Sequence, residues 1–100
     1  MIITQTRINT GFDSDKNHCW VQARGGIFPD GRAVITTQPL RLTGSDIFYG
    51  LSCFFSPDRG GHWTGPDAQR GLQRRAWDKD REVVISDGTP AFHRKSGKML

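Results

Sequence analysis

Apolar and polar positions alternate along this chain in short runs, and no window carries the long stripe of an amphipathic helix. Cys19-Trp20-Val21-Gln22-Ala23-Arg24 reads as a strand. Ala33-Val34-Ile35-Thr36-Thr37 reads as a second, rich in β-branched residues. Between them Asp30-Gly31 is a hairpin turn signal. Pro39 is expected to end the second strand. A polar connection, 41–46, leads to an apolar run from Ile47 to Phe55, a third strand. A fourth is expected to start at His62 or after Gly71, and Glu82-Val83-Val84-Ile85-Ser86 reads as another. The helical spacing of Ala68, Leu72 and Ala76, within Pro66 to Asp78, is interrupted by Gly71. The pattern predicts an all-β chain of antiparallel strands.

The third strand runs into Ser56-Pro57-Asp58-Arg59-Gly60-Gly61-His62-Trp63, which has the form of a tight corner. An aspartate in a turn accepts hydrogen bonds from nearby backbone N–H groups. Gly60 and Gly61 can take positive φ at little steric cost. Trp63 is expected to re-enter the apolar layer as an anchor. His18 and His62 sit in or beside turns and carry no signal of their own, and Asp58 reads as structural.

Composition narrows the class. One hundred residues with 35% hydrophobic content can build one small domain with a modest core. Twelve Gly and five Pro, spread along the chain, suit many strands and turns. The net charge is +4, and the strongest local basic patch, Arg70-Gly71-Leu72-Gln73-Arg74-Arg75, reads as a solvated loop or edge strand. No nucleic-acid module signature accompanies it. Cys19 and Cys53 are too few for a disulfide framework, and no Cys or His spacing suggests a metal site or another cofactor. No signal peptide or membrane-spanning stretch is seen.

The corner resembles the Asp-box, or BNR repeat, of the sialidase superfamily. All four defining positions match: Ser56, Asp58, Gly60 and Trp63. The likeness extends over Cys19 to Leu100. It includes Arg24-Gly25-Gly26-Ile27-Phe28-Pro29-Asp30-Gly31, where the Arg-to-Pro spacing is longer than in the family's R-I-P motif. It also includes Gln38-Pro39-Leu40-Arg41-Leu42, Gly44-Ser45-Asp46, and the later Asp87-Gly88-Thr89-Pro90-Ala91-Phe92-His93 and Lys95-Ser96-Gly97-Lys98. The resemblance implies antiparallel four-stranded blades of a β-propeller, six-bladed in that family and incomplete here. Residues 1–17 would be a lead-in, 18–80 a first blade with its box at 56–63, and 81–100 the start of a second. Met99-Leu100 reads as the first step of a hairpin's return arm, and its stopping there as a sign of truncation. An open piece of this kind is expected to associate with something that covers its sheet edges.

The resemblance also implies chemistry. In the family the box lies away from the active site, and arginines bind the carboxylate of a sialic acid. Arg24 is the candidate for that cluster, with Arg41 beside the pocket. Asp46 would be the acid/base that protonates the leaving oxygen. The family's Tyr nucleophile comes from a later blade. Tyr49, inside the third strand, reads as packing. The expected partner is a sialic-acid-containing glycan or other acidic carbohydrate, with the 100-residue chain alone inactive. Beside this stand plainer readings: Arg24 as a surface ion pair, Asp46 as a turn residue, Arg41 as loop solvation, His93 as structural. A non-catalytic propeller fragment binding carbohydrate or protein is the alternative function. A basic β-domain binding nucleic acid ranks last.

Overall fold

The computed structural model describes residues 1–3, 5, 17–42 and 47–100. Among these residues all regular structure is β. The strands are β1 (His18–Ile27), β2 (Ala33–Arg41), β3 (Ile47–Phe48), β4 (Gly50–Ser56), β5 (Thr64–Gln73), β6 (Arg75–Ala76), β7 (Glu82–Val83), β8 (Phe92–His93) and β9 (Lys98–Met99). The main sheet runs β1-β2-β4-β5, antiparallel throughout, with β3 also paired to β2. β6 pairs with β7 and β8 with β9 as small two-stranded ribbons.

Several strand limits differ from the sequence expectation. β2 does not end at Pro39 but continues to Arg41. At residue 39 the backbone carbonyl accepts from Tyr49 N, at 3.2 Å. In an antiparallel strand a residue's N–H and C=O point to the same neighbour. The N–H that proline lacks therefore falls beside the break between β3 and β4, where no ladder partner is left waiting. That break divides the expected Ile47–Phe55 strand, at Tyr49 and at Gly50 with its φ of 109°. The helical spacing of Pro66 to Asp78 is not used. Thr64–Gln73 is the outer strand of the sheet, a place that tolerates Pro66. The Glu82–Ser86 strand is reduced to Glu82–Val83.

The sheet has two apolar faces because strand alternation sends successive side chains to opposite sides. Leu51, Cys53 and Phe55 share one face with Val34 and Thr36. Phe54 shares the other with Ile35, Thr37 and Trp20, and its ring meets that of Trp20 at 6.5 Å. Leu51 and Phe54 are the buried apolar side chains among the described residues. Gln38 is also fully buried, and its amide Nε2 donates to Gln22 Oε1. Gln22 takes a φ of 56° in an irregularity of β1 between Val21 and Arg24.

Residues 84–92 cross the first face as an extended strap. Thr36 Oγ1 donates to the Gly88 carbonyl at 2.5 Å. Phe28 and Phe92 pack with ring centroids 5.5 Å apart. Gly26 permits this approach: a Cβ there would lie 2.8 Å from the Pro90 carbonyl oxygen and 2.9 Å from Met99 Sδ. Sequence reading placed Gly25-Gly26 after the first strand. They lie inside it, and at Gly26 the strap passes too close for a side chain.

Candidate functional site

The corner at 56–63 connects β4 to β5. Ser56 is fully buried at the end of β4. Its hydroxyl donates to Asp58 Oδ1 at 3.0 Å and accepts from Gly60 N at 2.8 Å and Asp58 N at 3.3 Å. Asp58 Oδ1 also accepts from His62 N at 2.8 Å, and Oδ2 meets His62 Nδ1. Trp63 Nε1 donates to the Gly60 carbonyl at 3.1 Å, folding the half-buried indole back over the turn. Arg59 N donates to the Gly31 carbonyl at 2.9 Å, which ties the corner to the β1–β2 hairpin loop.

Two details differ from expectation. Gly60 has a φ of 87°, but the second left-handed residue is Arg59, at 58°, and not Gly61. Gly61 is needed for space: a Cβ there would come within 3.0 Å of Asp58 Oδ2. His62, which carried no sequence signal, is Asp58's partner. Its spacing of four from Asp58 was the available clue. The pair shifts both groups. The His62 side chain, then its backbone N–H, holds the Asp58 carboxyl down to about 2. The Asp58 carboxylate in turn raises His62 above its ordinary value. These bonds close a turn.

The far end of the sheet carries the other candidates. Arg41 ends β2, exposed, in register with His18 on one side and Ile47 on the other. Asp46 lies outside the described residues and immediately precedes Ile47 in the chain. Tyr49 is half-buried, its ring 5.9 Å from that of His18, a packing role. Arg74 reaches the same end. Its Nη1 donates to the Phe48 carbonyl at 3.2 Å, and its guanidinium pairs with Glu82 at 2.7 Å. The rim therefore holds two guanidinium groups, Arg41 at the end of β2 and Arg74 between β5 and β6, the second already paired with Glu82.

Arg24 is elsewhere. It sits within β1, in register with Thr36, five positions of β2 away from Arg41. At about 3.3 Å per residue that is roughly 17 Å along the sheet. Alternation from Thr36 places Arg24 on the strap's face and Arg41 on the other. Arg24 Nη2 pairs with Asp87 at 3.0 Å, both side chains being partly exposed. The structure thus does not bring the two candidate arginines together. Nothing in the sequence around Asp87 announced the pairing, because the two residues are 63 apart.

Among the described residues no cluster of three or more His, Cys, Asp or Glu side chains could hold a metal, and no helix is long and apolar enough to cross a membrane. Burial, and then Asp67, raises the Cys53 thiol, and both Cys19 and Cys53 are free. Compared with protein-family models, with curated proteins and with solved structures, the chain finds no match.

Proposed function

We propose that this chain is the first blade, and the start of the second, of a sialidase-like propeller, and that its rim at 41–47 receives the carboxylate of an acidic sugar. The observation behind this reading is the four-stranded antiparallel meander β1-β2-β4-β5, with a hydrogen-bonded Ser-x-Asp-x-Gly-x-x-Trp corner joining its last two strands. In this reading the corner is scaffold, and chemistry belongs to the opposite rim. Arg41 supplies a permanent positive charge with the planar geometry that matches a carboxylate. Asp46, beside Ile47, supplies the proton for a leaving oxygen. A Tyr nucleophile and further arginines belong to later blades of such a protein, so the 100-residue chain binds without turning over.

The test is titration of the isotope-labelled chain with N-acetylneuraminic acid, followed by amide NMR. Shifts confined to residues 41–48 and abolished by Arg41→Gln support the reading. Shifts centred on the 56–63 corner, or hydrolysis of a fluorogenic sialoside by this chain, overturn it. In a longer polypeptide carrying the remaining blades, Asp46→Ala should lower turnover by about 10²–10⁴-fold.

A second reading, glycan binding without catalysis, is favoured by one contact. Arg24 pairs with Asp87 on the other face of the sheet, roughly 17 Å from Arg41, so the rim lacks a guanidinium that a full arginine cluster requires. It predicts sugar affinity in the longer polypeptide that is indifferent to Asp46→Ala, with no turnover to lose.

A further inference from the structure

The apolar cleft under the strap lies on the face that the next blade covers in the propeller reading, so it is packing surface. The rim stays open in that reading, and one hairpin stands beside it. β5 runs toward the rim, since its last residue, Gln73, is in register with Gly50. Arg74 N then donates to the Tyr49 carbonyl at 3.1 Å. Its guanidinium donates to the Phe48 carbonyl and, at 2.8 Å, to Glu82 of β7. The β6–β7 hairpin is thereby tied to the backbone around β3. Its turn is closed by Trp77 N, which donates to the Arg81 carbonyl at 2.9 Å. Asp78 completes it, accepting from Asp80 N at 3.0 Å and Arg81 Nε at 2.6 Å.

This braced hairpin carries Trp77, which is 64% exposed. The other two tryptophans are half-buried and engaged, Trp63 with the Gly60 carbonyl and Trp20 with the ring of Phe54. Among the described residues the Trp77 indole has no hydrogen-bond or ring partner. A rigid exposed indole offers a large contact area at small entropic cost. Its surroundings decide what it suits. Residues 75–83 hold three cations, Arg75, Lys79 and Arg81, against three anions, Asp78, Asp80 and Glu82. A hairpin with no net charge does not concentrate phosphates, as binding to a nucleic-acid backbone requires. An uncharged pyranose ring fits it better. The ring's C–H face is flat and apolar and can lie on the indole, while its hydroxyls, at the ring edge, stay in water.

The spacing sets the size of the ligand. β2, with Arg41, and residue 74 flank residues 47–49 on opposite sides, two strand spacings or roughly 10 Å apart. Trp77 is three residues further along, at most about 10 Å. The span exceeds one sugar ring and is within reach of a short oligosaccharide.

We propose that Trp77 is a stacking platform for a neutral sugar, so that the rim takes an oligosaccharide in which the acidic sugar is followed by uncharged pyranose rings. This rests on the reading of 41–47 as the carboxylate site and adds to it the class of glycan. Arg41 holds the acidic end and Trp77 the remainder.

The experiment titrates the isotope-labelled 100-residue chain with N-acetylneuraminic acid and with sialyllactose, followed by amide and indole NMR. Both ligands should shift residues 41–48, and sialyllactose alone should shift the Trp77 indole. Sialyllactose should bind about tenfold more tightly than the monosaccharide. Trp77→Ala should remove that advantage and leave the monosaccharide affinity unchanged, with Trp77→Phe intermediate. Monosaccharide binding at 41–48 with no gain from sialyllactose, or equal weakening of both ligands by Trp77→Ala, overturns the platform and leaves the carboxylate site standing. Failure of both ligands to shift 41–48 overturns the two together. Oligothymidylate that shifts the Trp77 indole at lower concentration than sialyllactose overturns the sugar assignment in favour of single-stranded nucleic acid.

Discussion

The corner at 56–63 and the strap at 84–92 are both irregular backbone, but they are fixed by different kinds of contact. In the corner the hydrogen bonds of Ser56, Asp58, Gly60, His62 and Trp63 join residues no more than four apart. The strap depends on Thr36 with Gly88, 52 residues distant, and on Arg24 with Asp87, 63 residues distant. A short loop closes at small entropic cost and can be specified by its own residues. A long-range contact exists only after the sheet has formed, and segments with few buried contacts are the first to open locally. The corner is thus a joint specified by its own residues, and the strap a cover held by the sheet it crosses.

The largest effect should come from breaking the joint. Ser56→Ala removes the buried hydroxyl and strands the N–H groups of Gly60 and Asp58, at a cost of about 2 kcal/mol in chemical denaturation. The loss should be global, because β4 and β5 are joined there. If only residues 57–62 become exchange-labile while the unfolding midpoint stays unchanged, the corner is not a joint.

Loosening the strap should cost less and act locally. Thr36→Val deletes the bond to the Gly88 carbonyl, worth about 1 kcal/mol. Amide exchange should accelerate at Ala91 and Leu100, which bond each other across the end of the ribbon, and not at Gly60 or His62. Equal acceleration in both regions would erase the distinction between them.

The smallest effect is a pH dependence confined to the corner. Asp58 is depressed in the folded state, so its contribution is present above the unfolded value of about 3.9 and is lost as pH falls through about 2. His62 is raised, so its contribution is complete below about 6.5 and is lost as pH rises through its elevated folded value. Both are complete between roughly pH 4 and 6.5. The thermal midpoint should decline slightly on the alkaline side of that window, and His62→Gln should remove the decline. The pair is exposed, so added salt should flatten the same limb. A wild-type alkaline limb that persists unchanged in His62→Gln assigns it to another group.

Much of the sheet could be read from residue order. The β-branched run at 33–37, the Asp30-Gly31 turn and the Ser56–Trp63 corner each carry their instructions within a few positions. Strand limits were less legible where they depend on a neighbour. Pro39 stays inside β2 because of where β3 breaks, and Gly26 is a glycine inside β1 because the strap crosses there. The candidate site shows the same division. Arg41, expected in the connection after Pro39, ends β2 instead, and Arg24, expected at a strand end, lies inside β1 with a partner that no local pattern reveals. Asp46 falls outside the described residues.

By itself, then, the amino-acid order determined an all-β chain, its main turns and a self-contained aspartate corner, because alternation, glycine and short polar side chains act over a few residues. Which arginine faces which side, what crosses the sheet, and the apolar cleft under that crossing were decided only in three dimensions. Those features depend on β-pairing register and on contacts between residues more than fifty positions apart, and neither is written in any local stretch.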